Sequence, residues 1–445
     1  MTQKSVILRL LGRTQGDGLR AQLLRGGAGV GALRLVSLPL TLLTTVLLAR
    51  LLGPQGFGQY SFVVAVITTL TIPLAPALLQ LITRETAALY YAGEYGQIRQ
   101  LSRWANRRVI IGSLIIIVVV TIGVVNTSDW SAGGRWILLL MILPAVPLLG
   151  LNAVRLGILT GLRKVISGQI PDLFVKPVAL LVVVGAFATG GVLTPSTGVL
   201  SYVLSAAIAY IVGFVLLNRA VSAHWYEKKQ LAQSQSRSLT KAWVPFTLLV
   251  AANTLNTQIG ILVLGWLSTD KQVAAMQIAA QGGMVVALSL TIVNQVIGPY
   301  VTQIYHAGDK DRLLAISRSS VRFALLLATP LALLLITCGE FIIEIVFGIQ
   351  YVSIGVLPLA ILAIAQFVNV AFGSVGTFLT MSGYERDTLL GQVSGLVSSS
   401  VASLILVPMY GATGAAIAVA LGTIVWNGVL AIQVSRRIGI RPGPI

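Results

Sequence analysis

Residues 103–125 read RWANRRVIIGSLIIIVVVTIGVV. Seventeen residues without a charge, Val109 to Val125, follow a basic segment that ends in Arg107 and Arg108. As a helix they would rise about 26 Å, close to the hydrocarbon thickness of a bilayer. The reading is therefore a membrane span with a cationic flank. Working outward, comparable apolar runs recur at about 28–52, 58–80, 136–160, 171–189, 198–218, 243–267, 276–302, 323–339, 352–380, 388–408 and 412–434. With 109–125 they make twelve. The whole chain agrees with this: of 445 residues, 56% are apolar and only 10% charged, and the mean hydropathy is +0.89. Soluble domains carry about 25% charge. Twelve spans absorb roughly 240–300 positions, which leaves no room for a sizeable soluble domain.

The net charge of +18 would suggest nucleic acid in a soluble protein, so the positions of the cations matter more than their number. Lys and Arg concentrate in alternate connectors. Twenty-five of the 31 lie in the N-terminal segment, 81–108, Arg163 with Lys164, 219–241, 304–322, Arg386 and the C-terminal tail. The other side holds Arg50, Arg135 and Lys271. Cations beside spans resist translocation, so both termini are expected in the cytoplasm, and nucleic acid is not an expected partner. The run after residue 27 is too long for a signal-peptide core and lacks a convincing cleavage site, which predicts an uncleaved first helix.

An internal repeat supports a division into halves. Ala92-Gly93-Glu94 after the second run and Ala307-Gly308-Asp309 after the eighth stand 215 residues apart. At that offset Tyr90 meets Tyr305, Ile98 meets Leu313, Leu101 meets Ile316, Ser102 meets Ser317, Arg103 meets Arg318 and Arg107 meets Arg322. Shared composition of basic connectors is the alternative explanation. Six spans per copy would make the halves parallel repeats about an axis along the membrane normal, a transporter architecture. The expected fold is an all-α polytopic membrane protein of about twelve transmembrane helices in two six-helix bundles. The expected divisions are a basic N-terminal segment at 1–27, bundles at 28–218 and 243–434, a linker at 219–242 and a tail at 435–445.

The stretch LARLLGPQGFGQY at 48–60 resembles the link between helices one and two of polysaccharide-type flippases of the multidrug/oligosaccharidyl-lipid/polysaccharide superfamily. VPMYGATGAAIA at 407–418 and MSGYE at 381–385 resemble that family's turn between helices eleven and twelve and its connector after helix ten. Together with the twelve spans, the resemblance covers nearly the whole chain. It implies a flippase that moves a polyprenyl-pyrophosphate-linked oligosaccharide across the bacterial inner membrane, for O-antigen or exopolysaccharide synthesis. Polysaccharide polymerase and chain-length machinery are the implied partners. Independently of the resemblance, Gly53, Pro54, Gly56 and Gly58 predict a tight hairpin.

Three cations fall in or beside spans. Arg34 lies about a turn and a half inside the first helix, where a cation near the bilayer centre costs about 2.5–3.5 kcal/mol. Ser37, Thr41 and Thr44 share its face, and Pro39 predicts a kink. A guanidinium pairs well with pyrophosphate oxygens; snorkelling to the cytoplasmic surface is the competing reading. Arg155 and Lys176 are candidates for the same anionic headgroup, although Asp172, four residues before Lys176, offers it a local ion pair. Arg50 at the hairpin is either a headgroup ligand or a snorkelling helix-end arginine. For the polar lining the candidates are Ser37, Thr41, Asn253, Asn256, Asn294, Gln366 and Asn369, amides and hydroxyls that bind sugar or join helices.

Other chemistries lack their residues. Cys338 is the single cysteine, and His224 and His306 are the two histidines, so disulfides and histidine-rich metal sites are not expected. No phosphate-binding loop, nucleophile elbow or zincin motif occurs, and no enzyme is expected. No cofactor is expected, and a coupling ion, H+ or Na+, has no assignable site. Glu340 and Glu344 fit an exposed amphipathic connector. The expected function is a flippase; an ion-coupled drug exporter of the same superfamily or a membrane glycan polymerase or ligase are the alternatives.

Overall fold

A computed structural model describes residues 19–126, 134–220, 233–440 and 443. Most of the expected N-terminal segment, the centre of the expected linker and the end of the tail lie outside these residues. Every regular element described is helical. In chain order they are α1 (Leu19–Leu70), α2 (Pro76–Tyr91), α3 (Tyr95–Val125), α4 (Arg135–Ile142), α5 (Ala145–Gly161), α6 (Val165–Ile170) and a π-turn (Pro171–Val175). Then follow α7 (Lys176–Thr189), α8 (Pro195–Ala220), α9 (Gln233–Leu267), α10 (Asp270–His306), α11 (Lys310–Thr337) and α12 (Gly339–Val346). After a 3₁₀ turn, α13 (Val352–Phe372), α14 (Val375–Met381) and α15 (Glu385–Arg437) complete the chain.

Among the described residues nine helices are long and apolar enough to cross a membrane, and the pair α4 and α5, bent by 41°, makes ten. Two of these are double. α1 is broken at Gly53, whose φ of 67° is left-handed, and α15 at Gly411, with φ of 54°. Splitting both gives the twelve spans that hydropathy predicts. The glycine hairpin at 53–58 is thus a single-residue break between two helices, while helix one runs on through Pro39. Several helices outrun their apolar cores. α3 begins at Tyr95 and α11 at Lys310, nearly four turns before the uncharged stretch, because Arg and Lys are good helix formers and Arg103, Arg107 and Arg318 face outward there.

The repeat is present in the backbone. Gly93 and Gly308 both have φ of 73°, and Ala92 and Ala307, which precede them, both have φ of −76°. Each pair closes one helix and turns into the next. At the same offset the buried positions coincide, Ile98 with Leu313 and Val109 with Ala324, while Arg103 and Arg318 are exposed in both copies. The copies differ at the cap: the Asp309 carboxylate accepts from the Arg312 N–H at 3.0 Å, whereas the longer Glu94 makes no such cap.

The chain forms two compact units. The first holds residues 1–47 and 70–247. Its core joins Leu78, Leu81 and Ile82 of α2 to Ile98, Leu101 and Val109 of α3 and Val154 and Ile158 of α5. Lipid tails are as apolar as leucine, so close approach rather than expulsion of water holds such helices. Gly157 and Gly161 supply it, since β-carbons there would lie 3.1 Å from Ile82 and 2.5 Å from Thr86. Lys164 Nζ donates to the carbonyl of Ala220 at the end of α8, at 2.8 Å.

The second unit holds residues 48–69 and 248–445. Residues 48–69 fall in the expected N-terminal bundle by sequence order, yet they pack here. Tyr351 is fully buried and donates its hydroxyl to the carbonyl of Ala49 at 2.7 Å. Phe62 stands edge-on to Trp266. Gly58 lies against the backbone of Asp270, and Gln272 Oε1 accepts from the N–H of Ala412 at 2.8 Å. The stretches 48–60 and 407–418 therefore converge on one connector, 268–272. On the basic side of this unit the Tyr305 and Tyr384 hydroxyls are 2.9 Å apart. That bond, with some burial, holds the Tyr305 phenol above its ordinary pKa. Arg437 pairs with Asp387 at 3.0 Å and lies over the Tyr384 ring.

Candidate functional site

Exposure separates two kinds of face within each unit, because a polar side chain exposed along a span faces water in preference to lipid. The exposed large apolar residues of α3 are Ile110, Ile111, Leu114, Ile115, Val118, Val119, Ile122 and Val125, a lipid-facing surface. On α1, Arg34 and Thr41 are exposed alongside Val36 and Leu43. Ser37 is buried, and its hydroxyl donates to the carbonyl of Arg34 at 2.9 Å. Thr41, Thr44 and Thr45 likewise donate to carbonyls one turn back. The hydroxyl donors on this face are thus satisfied by their own helix. Arg34 is the group there whose side chain is left available, with no hydrogen bond or ion pair among the described residues.

A second cluster of the first unit joins α5, the π-turn, α7 and α8. Pro177 has no N–H for the carbonyl of Leu173 and its ring crowds that oxygen. The helix widens in response, and the N–H of Lys176 reaches back five residues to Pro171. The wider turn undoes the expected pairing of Asp172 with Lys176, which presumed regular α-helical spacing. Asp172 Oδ1 instead accepts from Asn152 Nδ2 at 2.6 Å. Lys176 Nζ donates to the Tyr202 hydroxyl at 3.1 Å and sits 4.2 Å from the centre of that ring. Arg155 is only 7% exposed. It donates to the carbonyl of Tyr210 at 2.7 Å, its guanidinium 3.4 Å from the Tyr210 ring centre. Gly213 on α8 permits the approach, because a β-carbon there would stand 2.8 Å from Asn152 Oδ1.

Arg50 belongs to the second unit and closes a helix. Its Nε donates to the carbonyl of Val346 at 2.8 Å and its Nη2 to that of Ile345. These are last-turn carbonyls of α12 that the helix itself leaves unsatisfied, and a cation suits that end of the dipole. Glu340 and Glu344 are exposed on the same short helix.

The amides of the second unit divide into two groups. Asn369 Nδ2 donates to Gln366 Oε1 at 3.0 Å, and Asn427 Nδ2 donates to Asn369 Oδ1 at 2.9 Å, a relay joining α13 to α15. Asn256 Nδ2 donates to the carbonyls of Ala252 and Gln392. Asn253 and Gln295 are exposed, and no partner engages their amides among the described residues. Asn294 is partly buried, and its Oδ1 has no donor among the described residues. Of these amides, Asn253 and Gln295 are therefore the exposed ones, while Gln366, Asn369 and Asn256 join helices.

Sequence reading alone did not single out Asn152, Tyr202, Tyr210, Gly213 or Asn427. An available signal was the placement of Asn152 three residues before Arg155 in an otherwise apolar helix, which puts both on one face. For the π-turn the signal was Pro171 and Pro177 within two turns.

The sequence matches the family described as polysaccharide biosynthesis protein over residues 23–305. No curated protein is matched. Among solved structures, a multidrug resistance MATE family transporter of the MOP superfamily, inward-facing, superposes with a TM-score of 0.72 at 13% identity, covering 97% of each chain. The lipid II flippase MurJ in an inward closed conformation gives 0.71 at 13% identity, over 91% of this chain and 87% of that one. A MOP superfamily transporter from Pyrococcus furiosus, described by a reversed polarity of its binding pocket, gives 0.62 at 12% identity, over 96% and 97%. Likeness at such identities establishes the fold, and flippases and drug transporters share it.

Proposed function

The chain belongs to the polysaccharide biosynthesis protein family, and we propose that it is a flippase carrying a polyprenyl-pyrophosphate-linked oligosaccharide across a bacterial inner membrane by alternating access. The observation that carries this reading is the sign of the charge within the spans. Within the apolar runs, apart from Arg50 at the end of the first, the cations among the described residues are Arg34, Arg155 and Lys176, and the carboxylate is Asp172. An excess of positive charge there attracts an anionic headgroup and disfavours a cationic drug. Arg34, exposed on α1, is the first ligand for the pyrophosphate, with Lys176 the second. The tail stays in lipid, and the basic connectors face the cytoplasm.

Deletion of the gene in its host tests the reading. Loss of a surface glycan with build-up of its lipid-linked precursor on the cytoplasmic leaflet is the expected result. An unchanged glycan together with raised sensitivity to cationic dyes would assign the chain to drug export.

A further inference from the structure

Asp172 is a carboxylate in a span, and the nearest cation in sequence, Lys176, balances its charge through space without a direct ion pair. Asn152 gives it one amide donor at 2.6 Å. Lys176, on the next turn, makes no ion pair with it and rests on Tyr202. Among the described residues, the other ionisable groups that neighbouring helices bring to this cluster are Arg155 from α5 and the phenols Tyr202 and Tyr210 from α8. The two cations are held very differently. Arg155 is buried, bonded to a main-chain carbonyl and stacked at 3.4 Å. Lys176 is half-buried on a flexible stem, bonded to one hydroxyl, and free to turn toward another anion.

Asp172 is partly buried, and a carboxylate withdrawn from water keeps its charge best while a cation balances it; with that cation taken away, protonation becomes the cheaper state. We propose that Asp172 stands in for the substrate's phosphate, balancing Lys176 while the site is empty and taking up one proton when a pyrophosphate group captures Lys176. The inference rests on the flippase reading. The empty site holds a carboxylate and an ammonium. The loaded site holds a carboxylic acid, an ammonium–phosphate pair and one additional proton drawn from water, with no covalent bond made or broken. Asn152 suits both states: its amide N–H donates to the carboxylate, and after a flip its carbonyl accepts from the acid. Headgroup binding then strengthens as pH falls, and the anionic charge entering the span is reduced by one.

The test uses the full-length protein in lipid nanodiscs with inorganic pyrophosphate as probe. Calorimetry in buffers of different ionisation heat counts the protons taken up. Wild type should take up one proton more per pyrophosphate than Asp172→Asn, a difference that cancels the probe's own titration. Asp172→Asn should also bind on the order of ten-fold more tightly near pH 8. Lys176→Gln should bind more weakly and lose the extra proton too, because its Asp172 is already neutral, which gives a second reading should the first variant fail to fold. Equal proton uptake in wild type and either variant overturns the inference while leaving the flippase reading intact. Failure of wild type to bind pyrophosphate overturns both.

Discussion

The α-carbon of Gly58 packs on the main chain of Asp270 so closely that a β-carbon at residue 58 would lie 1.8 Å from the Asp270 carbonyl oxygen. Backbone cannot swing aside as a flexible side chain does. Gly58→Ala should therefore cost at least the 1–3 kcal/mol typical of overpacking. Thermal unfolding in detergent reads this directly. Gly123→Ala, whose β-carbon would meet nothing within 4 Å, is the control and should leave the midpoint unchanged or raise it slightly, as Ala favours helix over Gly. Equal midpoints for both variants would remove the packing role given to the 48–60 hairpin.

Arg50 distinguishes two uses of a cation. As the cap of α12, its replacement by Gln should cost about 1–2 kcal/mol through two weakened bonds to carbonyls. Export should remain near wild type when protein levels are matched. Unaltered thermal stability with abolished export would instead make Arg50 a headgroup ligand.

The amide relay of the second unit offers a double-mutant cycle. Asn427→Leu strands the Asn369 Oδ1 acceptor, a loss of about 1–3 kcal/mol. Adding Asn369→Leu should cost much less than it does alone, because the two residues share one bond. Strict additivity of the two losses would show that the relay contributes nothing as a unit.

For Arg34 the expected order in a glycan-export assay is wild type, then Lys, then Gln, with Glu inactive. Lys keeps the charge but loses the planar fork, and Glu repels the phosphate. Quantified membrane protein must be equal in all four. Full export by Arg34→Gln would refute the assigned role.

Span number and the alternation of basic connectors are legible because both follow from composition over windows of about 20 residues. The repeat is legible for a similar reason: Gly93 and Gly308 are turn residues, and their left-handed φ values preserve what their letters suggest. Arg155, Lys176 and Arg50 were identifiable as cations but not by their partners. Tyr210, Tyr202 and the end of α12 lie 55, 26 and almost 300 residues away, and hydropathy carries no information about such pairings. The π-turn shows a different limit, since two prolines widened one turn and thereby changed which residues face each other.

The position of residues 48–69 in the second unit sets the order in which the protein can be built. This hairpin leaves the ribosome before residue 248, the start of nearly everything it packs against. At about 5–20 residues per second, the delay is on the order of ten to forty seconds. Throughout that interval Arg50 has no helix to cap, and the carbonyl of Ala49 waits for Tyr351. The N-terminal spans must therefore persist in the membrane as an unfinished intermediate, and a chaperone or insertase that shields a hairpin would act at this stage.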